Sequence, residues 1–396
     1  MTDRPLVRRV LLSCGEASGD LYAGALVRAL RAEASGAGVD AIEAFGFGGA
    51  QLASAGAELI GDYRGFSVTG LTEALSVLRR SWRMLDTITE AARTRRPDVF
   101  VAIDFPDFNF RLLPRIKALG IPIVYYISPQ LWAWRPGRLA TIKQYVDRML
   151  VIFPFEEAIY RDAGVPVTFV GHPLIDMAVA QRDRAATCRA AGLDPARPVV
   201  ALLPGSRPNE LRLILPVIAD AARQLAQEVP GVQFLVARAP ALDDHLFAPL
   251  QALTQAGIPV GTLSEAADDV LEAADVVVTA SGTATVQTAL HNRPMVIVYR
   301  VSGLTYAIAR RFVALTQYGM VNLVAGRPIV TELIQHECTP ARVTAETRTL
   351  LTDPTRSSAM RADLSEVVRA LGGPGASTRA AQAVLGVMAQ SQGPRG

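Results

Sequence analysis

The stretch "VLLSCGEASGDLYAGALVRALRA" (residues 10–32) decides the fold. It opens on a short apolar run of the kind that a strand buried on both faces requires. Gly15 and Gly19 break that run, and from Leu21 the apolar residues recur at helical spacing. A buried strand, a glycine loop and a helix form the opening half of a βαβ unit, whose next strand lies parallel to the first. The loop also poses a chemical question. Glycines ahead of a helix suit a phosphate, yet Glu16 and Asp20 stand beside them and would repel one.

The same alternation continues along the chain. "DVFVAID" (98–104), "IPIVYYI" (121–127) and "RMLVIF" (148–153) are continuous apolar runs, and a second set follows in "PVVALLPGS" (198–206), "VQFLVAR" (232–238), "ADVVVTASG" (274–282) and "PMVIVYR" (294–300). With 396 residues the chain exceeds the roughly 250–300 at which single cores stop growing. Two doubly wound α/β domains are expected, 1–171 and 198–396, joined by a linker at 172–197 that is poor in strand signals and ends in the turn "LDPARP". A last amphipathic helix, about 376–391, precedes a frayed tail.

Composition removes several function classes. A formal net charge of +3 over this length marks no generic nucleic-acid binder. Cys14, Cys188 and Cys338 are too scattered for a disulfide framework or a paired zinc site, which fits a reducing cytoplasm. "RRVLLSC" imitates a lipoprotein signal, but its apolar run is shorter than the ~7–15 residues of an export signal, and no run approaches the ~18 of a spanning helix. His172, His245, His291 and His336 share no ligand spacing, so no metal site and no cofactor are expected; His172, in "VGHP", suits a hinge, a structural or a catalytic part.

In open α/β sheets ligands sit beyond the carboxyl ends of the strands, so chemistry is expected in those loops and in the cleft between two such domains. "LLPGSRPNE" (202–210) sets Gly205, Ser206 and Arg207 before a helix, where backbone N–H groups, a hydroxyl and a guanidinium suit a diphosphate; a plain turn with a surface arginine is the alternative. "TASGTATVQTAL" (279–290) repeats the arrangement with Ser281, Gly282 and Thr283. Neither is a Walker A loop or a full dinucleotide fingerprint, which disfavours ATP and NAD chemistry. In "AIDFPDFNF" (102–110), Asp104 ends an apolar strand, where a carboxylate either caps the next helix or, with its pKa raised by partial burial, acts as a general base; for Asp107 the cap reading leads. "SPQLWAWRPGR" (128–138) offers Ser128, Trp132, Trp134, Arg135 and Arg138, suited to sugar or phosphate contact or to local core. In "GLTEALSVLRRSWRML" (70–85), Leu71, Leu75, Leu78 and Trp82 follow helical steps beside Arg79, Arg80 and Arg83, as in a core-facing helix with a solvated basic side or an interfacial helix on anionic lipid.

Taken together, "GEASGD", "PDVFVAIDFPDFN", "SPQLWAWR", "FPFE", "FVGHP", "LLPGSR", "ASGTAT" and "NLVAGRPIVTELIQ" resemble the lipid-A-disaccharide synthase family along the whole chain. The resemblance implies a GT-B type fold, two Rossmann-like domains facing a central cleft, and an inverting glycosyltransferase. It implies transfer of a sugar from UDP-2,3-diacylglucosamine to the 6-hydroxyl of 2,3-diacylglucosamine 1-phosphate, at the cytosolic face of the inner membrane, by a possible homodimer whose last helix crosses back or exchanges. Carried onto this sequence, it makes Asp104 the base and Arg207 the group that stabilises departing UDP, with Gly205, Ser206, Ser281, Gly282, Thr283, Gln287 and Asn322 around the donor. Gly15, Glu16, Ser18, Gly19, Asp20, Ser128, Trp132, Trp134 and Arg135 then lie on the acceptor side of the cleft, with Gly15 and Gly19 permitting close approach and Glu16 and Asp20 bonding hydroxyls, backbone or the helix start, and the basic helix at 70–85 reads as a membrane or acyl-chain surface. One position departs from the family pattern: Gln287 stands where a glutamate accepts the ribose hydroxyls, so the charge is lost. A UDP-sugar 2-epimerase of the same architecture and a two-lobed sugar-binding protein are the rival readings.

Overall fold

The computed structural model describes residues 6–63, 71–130, 137–239, 242–301 and 317–391, with the side chains of 71–78 outside that description. The chain divides into two compact units, residues 1–173 with 371–396, and residues 174–370.

In the first unit the strands are β1 (Val7–Ser13), β2 (Ala41–Gly48), β3 (Glu58–Asp62), β4 (Val99–Ile103), β5 (Ile123–Tyr126), β6 (Arg148–Val151) and β7 (Val167–Phe169). They form one parallel sheet in the order β3-β2-β1-β4-β5-β6-β7. The second unit contains β8 (Val199–Leu203), β9 (Gln233–Arg238), β10 (Val260–Ser264), β11 (Val276–Ala280), β12 (Met295–Tyr299) and β13 (Glu332–Ile334), ordered β10-β9-β8-β11-β12-β13. The apolar runs read from the sequence are the central strands, and every residue of β4, β8 and β11 is buried. Each sheet grows outward in both directions from one central pair, β1 and β4 or β8 and β11. The chain reverses its direction of winding there, and such a point opens a crevice at the strands' carboxyl ends.

An aspartate before a strand fixes register repeatedly. Asp98, ahead of β4, accepts the Arg9 N–H of β1 at 2.7 Å; Asp147, ahead of β6, accepts that of Ile123 in β5 at 2.8 Å; Asp275, ahead of β11, accepts that of Val199 in β8 at 2.8 Å. Each carboxylate satisfies a donor at the strand's entry that the parallel ladder leaves over.

The expected linker is built into the second unit instead. Asp183 caps the helix Arg184–Ala190 through the Ala186 N–H at 2.7 Å, and Arg184 reaches Asp275 at 2.9 Å and the Ala273 carbonyl at 2.6 Å. Thr187 and Cys188 are buried, so the segment carries core rather than slack. The helix Ala376–Gln390 returns to the first unit and packs on the helix Ala17–Glu33. Arg379 secures the return by donating to the carbonyls of Val170 at 2.8 Å and Gly373 at 2.8 Å.

Candidate functional site

The crevice of the first unit lies between the loops that follow β1 and β4, and these carry "GEASGD" and "DFPD". Asp104 and Phe105 both adopt left-handed backbone, with φ of 44° and 50°. Neither is a glycine, so two adjacent strained residues must be held by their surroundings, at a cost of about 1–3 kcal/mol each. The supports are specific. The Asp104 carbonyl accepts Asn109 Nδ2 at 2.8 Å and the Tyr125 hydroxyl at 2.7 Å, while its N–H donates to the Tyr126 carbonyl at 3.1 Å. Asn109 is fully buried and also accepts the Ser13 hydroxyl at 2.7 Å, tying the ends of β1 and β4 together. The Phe105 ring stacks with both Phe47 and Phe108, with centroids 6.3 and 5.2 Å away. With the backbone pinned, the Asp104 carboxylate is half-buried at the strand's end. Its charge is felt nearby: burial first, and then Asp104, push up the hydroxyl pKa of Tyr22 and of Tyr125.

Opposite this turn stands Gly15. A Cβ there would lie 2.1 Å from the Phe105 ring, so only glycine permits the ring and the strained turn beside it. Glu16 is exposed and Ser18 half-buried at the start of the helix Ala17–Glu33, whereas Gly19 is buried. Of the parts open to Asp20, the structure shows the bond to backbone. It is buried, and its carboxylate accepts the N–H groups of Gly49 at 2.8 Å, Gln51 at 2.9 Å and Leu52 at 3.0 Å, closing the start of the helix Ala50–Ser54. The acidity of "GEASGD" is therefore partly structural: a helix start, not a substrate, is the partner of Asp20.

Ser128 is likewise drawn inward, its hydroxyl 2.8 Å from that of buried Tyr160. Trp132, Trp134 and Arg135 lie outside the described residues, as do the side chains of Leu71, Leu75 and Leu78 on the helix Leu71–Arg95. Further along that helix Leu85, Ile88 and Ala92 enter the core, while Arg79, Arg80 and Arg83 are exposed. Trp82 is 47% exposed, with the guanidinium groups of Arg111 and Arg115 over its ring at 5.5 and 5.7 Å. Asp107 pairs with Arg138 at 2.7 Å. His172 is buried against Tyr22 and Phe153, and burial lowers its pKa to about 3, so it stays neutral at ordinary pH as an apolar packing element.

In the second unit the crevice between β8 and β11 brings together "PGSR" and "SGTA". Gly205 and Gly282 supply the positive φ of these turns, 113° and 137°. Arg207 stands at the start of the helix Pro208–Glu228 with its side chain 60% exposed and bonded to Glu210 at 3.2 Å. Glu210 corrects one expectation. Its other oxygen accepts the Ser206 and Arg207 N–H groups at 3.2 and 3.4 Å, so the donors read as a diphosphate cradle are closed by the protein's own carboxylate. The Ser206 side chain and the Arg207 guanidinium are what remain for an anion. Ser281 donates to the Tyr318 carbonyl at 3.3 Å, and Gly282 and Thr283 are exposed.

Asn322 is bonded within the second unit. It is buried, its oxygen accepting the Ile329 and Val330 N–H groups at 2.9 and 3.0 Å and its nitrogen donating to the Val330 carbonyl at 2.9 Å and to Glu332 at 2.6 Å. Glu332, which the motifs did not single out, accepts in turn the N–H groups of Tyr318 at 2.8 Å and Gly319 at 2.9 Å. The pair thus shapes the segment that meets Ser281. Gln287 is half-buried and donates to Asp268 at 2.7 Å, another residue that no motif marked.

Known proteins resemble this chain in sequence and in fold. The family profile described as Lipid-A-disaccharide synthetase matches residues 10–387. A "Lipid-A-disaccharide synthase" of Myxococcus xanthus is 43% identical over 385 residues, covering 97% of this chain and 98% of that protein. Among solved structures, UDP-GlcNAc 2-epimerase of Neisseria meningitidis bound to UDP-GlcNAc superposes with a TM-score of 0.68 at 11% identity, covering 96% of this chain and 100% of that one. The glycotransferase of kitacinnamycin gives 0.61 at 20% identity, over 97% and 100%. At such identities the structures speak for the fold alone, the two-domain GT-B type.

Proposed function

The chain belongs to the lipid-A-disaccharide synthase family, and from that premise we propose that it transfers 2,3-diacylglucosamine from UDP to the 6-hydroxyl of 2,3-diacylglucosamine 1-phosphate. It is a glycosyltransferase of lipid A biosynthesis; the likeness to epimerases at 11% identity concerns only the fold.

The observation that carries the catalytic assignment is the strained, doubly anchored turn that presents Asp104 beyond β4. Such strain is retained where a side chain must be held in one place. In this reading Asp104 takes the proton of the acceptor's 6-hydroxyl as that oxygen forms a bond to the donor's anomeric carbon. The bond from that carbon to the diphosphate breaks with inversion, and UDP leaves with the electron pair. Arg207 balances charge growing on the diphosphate, and the "SGT" loop at 281–283 adds polar contacts. Arg79, Arg80, Arg83, Arg111 and Arg115 around exposed Trp82 form the surface proposed to meet anionic headgroups on the cytosolic face of the inner membrane. Among the described residues no helix is long and apolar enough to cross a membrane.

The test is mass spectrometry of products from the two acylated substrates, with wild type beside Asp104→Asn. Wild type is expected to make the disaccharide 1-phosphate, and the variant to lose about 10²–10⁴-fold in turnover while still binding UDP. A variant with full turnover would remove Asp104 from the chemistry.

A further inference from the structure

No motif marked Tyr22, on the helix Ala17–Glu33 of the first unit, which is 4% exposed. Three residues earlier, Gly19 lets the helix lie close on the end of β4: a Cβ there would stand 3.9 Å from the carbonyl oxygen of Ile103, the residue before Asp104. Residues three apart share a helix face, so Tyr22 sits on the face that meets this strand end. Its ring stands edge-on to that of His172, with centroids 6.2 Å apart and planes at 88°, and His172 in turn leans on Phe153 at 5.3 Å. An aromatic wall thus backs the phenol.

The hydroxyl of this residue is the anomaly. A buried tyrosine ordinarily gives its O–H a partner, and two other buried phenols of the first unit do so: Tyr125 donates to the Asp104 carbonyl at 2.7 Å, and the Tyr160 hydroxyl lies 2.8 Å from that of Ser128. Among the described residues the Tyr22 hydroxyl makes no hydrogen bond, although its ring is packed on one side. It nonetheless stands within the field of the base, since burial first and then the charge of Asp104 push its pKa up, and it stays a neutral donor at working pH. A deeply buried polar group left over beside the base is one that a bound molecule can satisfy.

The acceptor has one group that fits. In 2,3-diacylglucosamine 1-phosphate, positions 2 and 3 are acylated and position 1 carries the phosphate, so the sugar keeps a single free hydroxyl, at position 4, besides the reacting one at position 6. C4 and C6 are both bonded to C5, which makes the 4-hydroxyl the neighbour of the oxygen that Asp104 deprotonates. We propose that the Tyr22 hydroxyl binds the acceptor's 4-hydroxyl and makes Tyr22 a specificity-determining residue for the transfer. This rests on the reading of Asp104 as the base. The contact orients the ring so that the 6-oxygen, and not the 4-oxygen, meets the carboxylate.

Steady-state transfer by the full chain to 2,3-diacylglucosamine 1-phosphate and to its 4-deoxy analogue tests the contact. Wild type is expected to favour the natural acceptor about tenfold in kcat/KM, the effect of one hydrogen bond. Tyr22→Phe should lose about tenfold on the natural acceptor, treat the two acceptors within about twofold of each other, and bind UDP as wild type does. A wild type indifferent to the 4-hydroxyl overturns the assignment, and so does a Y22F that keeps the wild-type preference; in both cases the reading of Asp104 stands. If wild type forms no disaccharide, or Asp104→Asn transfers at the full rate, the reading of the site itself fails and takes the assignment with it. Should Y22F not fold, Tyr22→Leu is judged by the same ratio: an erased preference supports the contact and a retained one overturns it.

Discussion

The two crevices have the same topology and solve opposite problems. In the first unit the turn after β4 contains no glycine: Asp104 and Phe105 adopt left-handed backbone, and two hydrogen bonds to one carbonyl hold them there. In the loops after β8 and β11 the positive φ values fall on Gly205 and Gly282, and around Gly282 a Cβ would find nothing within 4 Å. The first crevice spends strain and packing to fix a single carboxylate. The second leaves Gly282 and Thr283 exposed and keeps the Arg207 side chain 60% exposed. Proton transfer demands placement of one atom to fractions of an ångström, whereas a diphosphate is gripped by charge and tolerates looser walls.

That contrast is broken most severely at Gly15. Gly15→Ala puts a methyl 2.1 Å from the Phe105 ring, which must leave its stack and drag the Asp104 turn with it. A loss of about 3 kcal/mol in denaturant unfolding is expected, with roughly 10²-fold lower turnover from the displaced base. Asn109→Ala comes next, because it strands the Ser13 hydroxyl and removes one anchor of the Asp104 carbonyl; about 2 kcal/mol and a tenfold loss in kcat are expected, with KM for the donor unchanged. At Gly282 the same alanine meets open space, and only the φ of 137° is strained, so about 1–2 kcal/mol is expected, felt in donor KM rather than kcat. Equal kcat losses at Gly15 and Gly282 would abolish the distinction between a placed base and a charge-gripped anion.

Sequence legibility follows the same line. Both sheets were readable because a strand buried on two faces leaves an unbroken apolar run, and the switch-point loops were readable as the places where those runs stop. Asp104 stood out since a carboxylate at the end of such a run has few structural uses. What the sequence could not show is the partner of a polar residue when that partner is distant in the chain. Asp20 meets a helix start some thirty residues away, and Asn322 meets backbone at 329–330; neither partner leaves a mark beside the residue itself. Gln287 likewise meets Asp268, which lies on another helix. The segment at 172–197 was placed as a linker because its buried Thr187 and Cys188 are too few to print a period.

The smallest expected effect separates the units by acid rather than by mutation. His172, packed against Tyr22 and Phe153 in the first unit, has its pKa lowered from 6.5 to about 3 by burial. The unfolded chain therefore binds a proton between those values that the folded chain refuses. Stability from the neutral ring is complete above pH 6.5 and is lost progressively as pH falls toward 3; the loss from pH 7.5 to 6 is about 1 kcal/mol. In the second unit His291 contacts two carboxylates, Asp268 at 2.9 Å and Glu272 at 3.4 Å. Hydrogen exchange at pH 7.5 and 6 should accordingly show amides of the first unit, including those around Asp104, losing protection before amides of the second. His172→Gln should remove that slope at some cost in stability at neutral pH. Because Tyr22 lies between His172 and the charge of Asp104, a wild-type first unit that keeps its protection to pH 5 would mean that the base is insulated from the packing behind it, and that the strain at 104–105 is borne by Asn109 and Tyr125 alone.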